Sequence, residues 1–371
     1  MHFQFGRHAV AVAASLIAAV PASAKDYVFA TFVPPTHGIV VHALGPMAKE
    51  IAVSTDGRVN FVLKPGAQLF SPDVSIPSTG KGLADATTGV SAYTPSELPY
   101  FNLVNELQMF VKDSRSAVAA GIEMLLKDCP ECQADYAKLG AVVLANYSTE
   151  SVVFCGKPLR TLADLKGKKI RTTGGAGRWA KAMDATSVRM GIPEMPNAME
   201  RGQIDCVIGS MSWVKSYGLI DTVKGIIDYP MGTLPGANLV VMNRGVWKSL
   251  TPADRKAMMR HFSRATARAT IDGYLKYDDD VRAEAAKKGI SLVKGGKEFD
   301  DLMAKFLADE RKAVITQAAK FRIKNPEKIV DTFLANVKKW DALVKDVGKD
   351  STKFDQVLWD NLYSKVDPEK I

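Results

Sequence analysis

The segment 164–211 most constrains the fold, because it alternates strand and helix around one glycine-rich turn. It begins DLKGKKIRTTGGAGRWAKAM and ends AMERGQIDCVIGSM. Residues 169–173 predict a strand, the glycines of 174–177 a turn, and the residues after them a helix. A second passage from helix to strand covers 199–208. This order is typical of an α/β domain.

The first part of the chain shows the same alternation. Strand-like runs at 27–32, 58–64 and 86–91 are separated by helical patterns at 39–53 and 74–82. In such folds the ligand lies beyond the carboxyl ends of the strands. Four residues fall there and are candidates for the wall of a site, although each taken alone is better explained by a core or turn role: Phe32, His37, Ser91 and Tyr93.

The first residues of the chain predict an export signal. Residues 1–24 contain Arg7, no acidic residue, an apolar run and the cleavage pattern Ala22-Ser23-Ala24. We therefore expect cleavage before Lys25 and a periplasmic protein.

The length of 371 residues suggests about two domains. The net charge is +9, but the basic residues are interspersed with acidic ones, so no nucleic-acid partner is expected.

The four cysteines predict structural roles. In an oxidising compartment Cys129 and Cys132 could form a local disulfide. Cys155 and Cys206 lie in apolar strands, where we expect buried free thiols. A thiol oxidoreductase would also contain Cys-x-x-Cys, but the βαβ pattern that should precede the motif is missing. The spacing does not fit a zinc ribbon either, so no metal is expected.

The strand end and the turn after it predict a site for a small anion. Arg171 lies near the end of the strand, and free amides at a glycine-rich helix start would assist its guanidinium in holding a carboxylate. The same turn matches Gly-x-Gly-x-x-Ala from Gly175 through Gly177 to Ala180. An exported NAD-binding oxidoreductase is therefore the alternative interpretation. No cofactor is expected under the first interpretation.

Further wall candidates come from the elements that follow Arg171. Trp179 lies in the first turn of the next helix, although a core role suits it better. The strand 203–208 ends in Gly209, Ser210 and then Trp213, which would face the same crevice.

A longer set of residues resembles a known family. It comprises the run Leu165 to Arg171, the step Ala185 to Val188, Glu194, Ala198, Gly202, Asp205, the strand Leu239 to Asn243 and the run Trp247 to Leu250. The set is similar to the solute-binding subunit of tripartite ATP-independent periplasmic (TRAP) transporters, of the dicarboxylate-binding-protein type. The resemblance extends over essentially the whole chain after residue 24.

The resemblance implies a two-lobed periplasmic-binding-protein fold of the α/β class, with hinge strands and a long helix that spans both lobes. The expected first lobe comprises 25–150 and 240–326, including part of a long helix at 251–288, and the second comprises 151–239. Helices in 327–371 are expected to pack on the lobes. The implied function is capture of a small organic acid and its delivery to integral-membrane transporter subunits, without catalysis. The oligomeric state stays open.

The resemblance also assigns Arg171 to the carboxylate of the solute. Where many members have a second arginine, this chain has Glu150, close to Tyr147 in sequence. Because a second carboxylate without a cation is costly to bury, we expect a monocarboxylate, with an aromatic or bulky tail suggested by Tyr93, Trp179 and Trp213. The acidic run that begins at Asp278 is expected to be solvated.

Overall fold

The computed structural model describes residues 25–371, which contain two β-sheets surrounded by helices. The predicted signal peptide lies outside the described residues. The strands are β1 (Lys25–Ala30), β2 (Val59–Lys64), β3 (Ala86–Val90), β4 (Ala141–Tyr147), β5 (Val152–Cys155), β6 (Lys169–Arg171), β7 (Thr186–Val188), β8 (Cys206–Gly209), β9 (Gly225–Asp228), β10 (Ala237–Asn243) and β11 (Ser291–Lys294).

The helices are α1 (Gly45–Ser54), α2 (Ser75–Gly80), α3 (Pro99–Asn105), α4 (Ser114–Glu123), α5 (Pro130–Lys138), α6 (Ala176–Ala182), α7 (Met195–Glu200), α8 (Trp213–Ser216), α9 (Arg244–Ser249), α10 (Pro252–Thr270), α11 (Lys276–Lys287), α12 (Lys297–Ala318), α13 (Pro326–Val344) and α14 (Ser351–Asn361). Three π-helical segments accompany them, at Val40–Leu44, Met124–Asp128 and Ile271–Leu275. In the part of the chain from residue 25 onward, no helix combines the length and the apolar character needed to cross a membrane.

Each sheet forms the centre of one lobe. The first sheet has the order β2-β1-β3-β10-β4, and the second has the order β11-β9-β5-β8-β6-β7. The chain crosses between them from β4 to β5 and from β9 back to β10, and the helices after β10 take it to β11 in the second sheet. Strands β5 and β10 run antiparallel to their neighbours, whereas β1 is parallel to β2 and β3. The predicted two-lobed fold with crossing strands is confirmed.

One long helix connects the lobes on another face. It comprises α10, the π-helical segment Ile271–Leu275 and α11. Thr251 caps its start by accepting a hydrogen bond from the amide of Asp254 at 3.1 Å. The π-helical segment contains Gly273, which packs directly on Gly38, since a Cβ atom at Gly38 would lie 2.2 Å from the Gly273 carbonyl oxygen. Two glycines therefore let the backbones of the first lobe and the long helix meet.

The predicted boundary of the first lobe is wrong after the long helix. Strand β11 pairs in parallel with β9, so this part of 240–326 belongs to the second sheet. Helix α12 begins against the second lobe, where Phe299 packs on Tyr229, and its later part lies against α13, to which Arg311 pairs through Asp331. The long helix returns the chain to the second lobe before β11 forms. That pairing depends on a partner more than 60 residues away and has no local sequence signal.

The C-terminal helices pack on the first lobe and the long helix. Helix α13 lies against α4, and α14 lies against α10. Trp340 is buried and donates a hydrogen bond from Nε1 to the Glu123 carboxylate at 2.7 Å. Asp355 pairs with Arg260 at 2.5 Å. These contacts agree with the packing role expected for 327–371.

Two disulfides are present among the described residues. The predicted bridge between Cys129 and Cys132 forms at the start of α5. The expectation of free thiols at Cys155 and Cys206 is wrong, because these residues form a second bridge. They are direct register partners on the antiparallel strands β5 and β8, with Cα atoms 4.0 Å apart. Cross-strand register, which the sequence does not reveal, brings the two sulfur atoms together.

Candidate ligand site between the lobes

Arg171 is buried at the end of β6 without a carboxylate partner. Its side chain is 0% exposed. Nε and Nη2 donate hydrogen bonds to the Met190 carbonyl oxygen at 3.1 and 3.0 Å, and Nη2 also donates to the Tyr93 hydroxyl at 3.0 Å. Nη1 has no partner within residues 25–371. A full positive charge thus lies in the interior with one donor unused.

The first lobe contributes Tyr93 and Phe32 to this region. Tyr93 follows β3 and Phe32 follows β1, so both leave the carboxyl ends of parallel strands, as the sequence predicted. Their rings meet edge to face with centroids 6.3 Å apart. Because Tyr93 also accepts the hydrogen bond from Arg171, a residue of the first lobe directly meets the cation of the second.

Trp213 covers Arg171 from the second lobe. The guanidinium carbon of Arg171 lies 5.6 Å from the centroid of the Trp213 ring, within the range of a cation–π contact. The ring lies against Gly209, where a Cβ atom would be 2.0 Å from it. Only glycine therefore leaves room for the ring at position 209. The indole Nε1 is buried without a hydrogen-bond partner among the described residues.

A cluster of four aromatic side chains extends the site, and we call it the aromatic cluster: His37, Tyr147, Tyr217 and Tyr274. The His37 ring lies 6.0 Å from that of Tyr217 and 5.4 Å from that of Tyr274. The rings of Tyr147 and Tyr274 are stacked, with centroids 5.5 Å apart. Sequence reasoning named His37 and Tyr147 but missed Tyr217 and Tyr274. Their positions, four residues after Trp213 and directly after Gly273, are the only local signals.

The aromatic cluster is uncharged. Burial lowers the pKa of His37 to about 3, so its imidazole is neutral near pH 7. Its Nδ1 accepts a hydrogen bond from the Ile39 amide at 3.2 Å, which leaves the proton on Nε2. Burial raises the pKa of Tyr217 well above its ordinary value, while the charge of Arg171 acts in the opposite direction. The Tyr217 hydroxyl is buried and has no partner in the described chain.

Three candidate residues form hydrogen bonds or a backbone bridge to other parts of the protein. Ser91 accepts a hydrogen bond from the side-chain amide of Asn105 at 2.6 Å. Ser210 donates to Asp278 at 2.9 Å. Glu150 lies in the first crossing between the lobes, where its backbone bridges to Thr233. Burial, followed by the charge of Asp113, raises the pKa of Glu150.

Asp278 corrects the expectation of a solvated acidic run. Its side chain is 4% exposed and accepts hydrogen bonds from Ser210 Oγ and, at 2.6 Å, from the Ser212 amide. Burial raises the pKa of Asp278 to about 7, although these hydrogen bonds oppose the shift. Asp278 therefore ties the long helix to the turn that carries Trp213.

Trp179 lies in the core of the second lobe. It is fully buried, its ring meets that of Phe306 at 5.2 Å, and its Nε1 lies 2.7 Å from Met231 Sδ. These contacts occupy both the ring and its donor, which fits the core role that suited Trp179 better in the sequence.

The glycine turn packs on the first lobe. A Cβ atom at Gly175 would lie 2.5 Å from the Glu106 carbonyl oxygen, and one at Gly174 would lie 3.2 Å from that of Asn105. The amides of Gly177 and Arg178 donate to carbonyls within the turn. The predicted cradle of free amides is therefore wrong at these two amides, and the glycines allow close approach of the lobes.

The sequence as a whole matches a known family. The family model for DctP, described as bacterial extracellular solute-binding protein, family 7, covers residues 29–312. That range is most of the chain. The chain belongs to this family. Its resemblance to TRAP solute-binding subunits is thereby confirmed, as is its function as a solute-binding protein. The family supports solute capture and not the NAD-dependent alternative based on Gly175 and Gly177.

Solved structures agree with the family, and one further relative is similar in sequence. A TRAP periplasmic solute-binding protein from Bordetella bronchiseptica, with bound (R)- and (S)-mandelate, is 25% identical, with a TM-score of 0.72 over 85% of this chain and 100% of that chain. One from Rhodoferax ferrireducens, in complex with copurified benzoate, is 20% identical, with a TM-score of 0.76 over 86% and 99%. The outer membrane transporter protein TsaT of Comamonas testosteroni is 24% identical over 75% of this chain and 83% of that protein.

Proposed function

We propose that the mature chain, cleaved before Lys25, captures an aromatic monocarboxylate in the periplasm and delivers it to TRAP-type membrane subunits. The observation that carries this proposal is the buried guanidinium of Arg171, which has no carboxylate partner within residues 25–371 and one unused donor. A buried charge is costly unless a counter-charge compensates it. A ligand carboxylate would supply both the charge and the acceptor.

The neutral aromatic cluster supports a monocarboxylate. His37 carries no charge near pH 7, and the tyrosines keep their protons, so this wall offers hydroxyl and N–H donors but no second cation. Arg189 is exposed and donates to the Ala92 carbonyl oxygen. A second carboxylate against the cluster would be buried without a counter-charge, which is strongly unfavourable.

The rings explain a preference for an aromatic tail. Phe32, Tyr93 and Trp213 surround the guanidinium, and aromatic side chains favour the stacked or edge-on approach of another ring. The relatives from Bordetella bronchiseptica and Rhodoferax ferrireducens hold mandelate and benzoate, which are aromatic monocarboxylates. Ligand would favour closure of the lobes because Arg171 and Tyr93 come from opposite lobes and meet only when these are together.

A thermal-shift screen tests the substrate class. Aromatic monocarboxylates, including benzoate and mandelate, should raise the melting temperature of the mature protein more than aliphatic monocarboxylates, and dicarboxylates should raise it least. A larger shift with dicarboxylates would contradict the monocarboxylate assignment. NAD should give no shift.

Titration calorimetry of two arginine variants tests the site. We expect Arg171→Ala to weaken binding of the best acid from the screen by more than roughly tenfold, because a charge-assisted hydrogen bond to the carboxylate is lost. Arg201→Ala is the matched control, since Arg201 is exposed at the end of α7, and its affinity should equal that of the wild type. An unchanged dissociation constant for Arg171→Ala would refute the assignment.

A further inference from the structure

A second arginine, which is half-buried, lies seven residues after Arg171 and has the opposite surroundings. Arg178 donates from Nε and Nη2 to the carboxylate of Glu310, with the shortest distance 2.6 Å. Its Nη1 donates to Glu106 Oε2 and to Gln317 Oε1, both at 2.7 Å. The side chains of Arg178, Glu106 and Glu310 are 22%, 9% and 2% exposed. One guanidinium thus holds two buried carboxylates.

The members of this group come from different bodies of the molecule. Arg178 lies in α6, which connects β6 and β7 of the second sheet. Glu106 directly follows α3, which lies between β3 and β4 of the first sheet. Glu310 and Gln317 lie on α12, which contacts both α3 and α6. The bond between Arg178 and Glu106 therefore crosses from lobe to lobe.

The surrounding backbone shows that the lobes meet closely here. The glycine turn before α6 approaches the Glu106 carbonyl so tightly that only glycine fits at position 175. Next to it, the side-chain amide of Gln108 donates to the Thr173 carbonyl oxygen at 2.8 Å. Separation of the lobes would break this bond and the Arg178–Glu106 pair together.

We propose that the Arg178–Glu106 pair is an interlobe latch that determines how tightly the protein retains its solute. The pair stabilises the arrangement in which the lobes are together. It acts by holding the lobes in position, because neither residue belongs to the group around Arg171. A ligand bound between the lobes leaves only after they part, so the latch slows dissociation. Its effect is the same for any acid that the site accepts.

The burial and the charges explain why the pair favours closure. Burial acts to lower the pKa of Arg178, but the two carboxylates outweigh it and raise that pKa. Burial raises the pKa of Glu310, and the charge of Glu106 adds to this rise. Arg178 thus offsets the repulsion between the carboxylates of Glu106 and Glu310, and it reaches Glu106 only while the lobes are in contact. Glu106→Gln removes one negative charge with little other change, because glutamine preserves the shape and one acceptor oxygen of Glu106.

The test compares Glu106→Gln with a matched control on the mature chain. The control is Asp331→Asn, which neutralises the acid of the Arg311–Asp331 pair, a bond of 2.7 Å whose side chains are 45% and 60% exposed. Small-angle scattering with and without benzoate measures how far apart the lobes are. We expect Glu106→Gln to give a larger radius of gyration than the wild type in at least one of these conditions, and Asp331→Asn to match the wild type.

Stopped-flow kinetics with benzoate separates positioning from a merely structural role. Benzoate should dissociate from Glu106→Gln about three- to tenfold faster, with its association rate unchanged. The double variant with Arg178→Gln should show no further increase over Arg178→Gln alone, because the two residues act as one unit. Scattering curves of Glu106→Gln that match the wild type both with and without benzoate would overturn the proposal, whatever the affinity for benzoate.

Discussion

Arg171 is buried and Arg178 is half-buried; both lie in the second lobe and reach the first lobe, yet their partners differ. Arg171 meets a carbonyl, a hydroxyl and an aromatic face. Arg178 meets two carboxylates. The first has no carboxylate partner among the described residues, and the second has two. One short segment thus supplies both the charge proposed for binding and a structural charge.

The largest expected effect concerns the structural charge. Arg178→Ala should lower the free energy of unfolding by about 3 kcal/mol, because it leaves the two buried carboxylates of Glu106 and Glu310 facing each other without a cation. Urea unfolding followed by circular dichroism measures this, with Arg201→Ala as the exposed control. A loss below about 0.5 kcal/mol would mean that Arg178 does not compensate the charges of the two carboxylates.

The next effect concerns Asp278, which supports the turn over Arg171. Because its pKa is raised from 3.8 to about 7, the folded protein keeps a proton that the unfolded chain releases. The free energy of unfolding should therefore fall as the pH rises from about 4 to about 7, by a few kcal/mol, and stay level above that range.

Asp278→Asn removes this proton and should flatten the profile. Melting temperatures between pH 4 and pH 8 measure the difference between the two proteins. Glu150 and Arg282 also influence this carboxyl group. An equally steep fall in the asparagine variant would assign the dependence to another group.

A smaller effect, on ligand affinity, is expected for Trp213. Trp213→Ala should weaken binding of the best acid from the screen by about fivefold, since it removes the ring that covers the guanidinium. Trp213→Phe should recover most of the affinity because an aromatic face remains. Calorimetry measures both variants. Equal affinity in the wild type and the alanine variant would show that the ring only fills space.

The smallest effect is expected for the contribution of Arg171 to the stability of the ligand-free protein. Arg171→Met should leave the free energy of unfolding of the ligand-free protein unchanged or higher by up to about 1 kcal/mol, because an uncompensated buried charge is replaced by an apolar chain of similar length. The measurement is the same urea unfolding. A loss of more than about 2 kcal/mol would show that the bonds to Met190 and Tyr93 make Arg171 structural as well.

Much of the site could be predicted from local pattern. The strand ends placed Phe32 and Tyr93 correctly beside one another, and the segment 164–211 pointed to Arg171. The core role that suited Trp179 better is the one it has, but the roles of Ser210 and Asp278 could not be predicted, because these two residues are partners far apart along the chain. Periodicity identifies a buried position but not which core or cavity buries it.

The sequence by itself determined the α/β class, the long helix with its cap at Thr251, the Cys129–Cys132 bridge and the membership of a solute-binding family. These features depend on local spacing or on extended runs of residues. Only the tertiary structure decided the Cys155–Cys206 bridge, the place of β11 in the second sheet and the different partners of Arg171 and Arg178. Strand register and the approach of two lobes set these contacts, and both join residues that are distant in sequence.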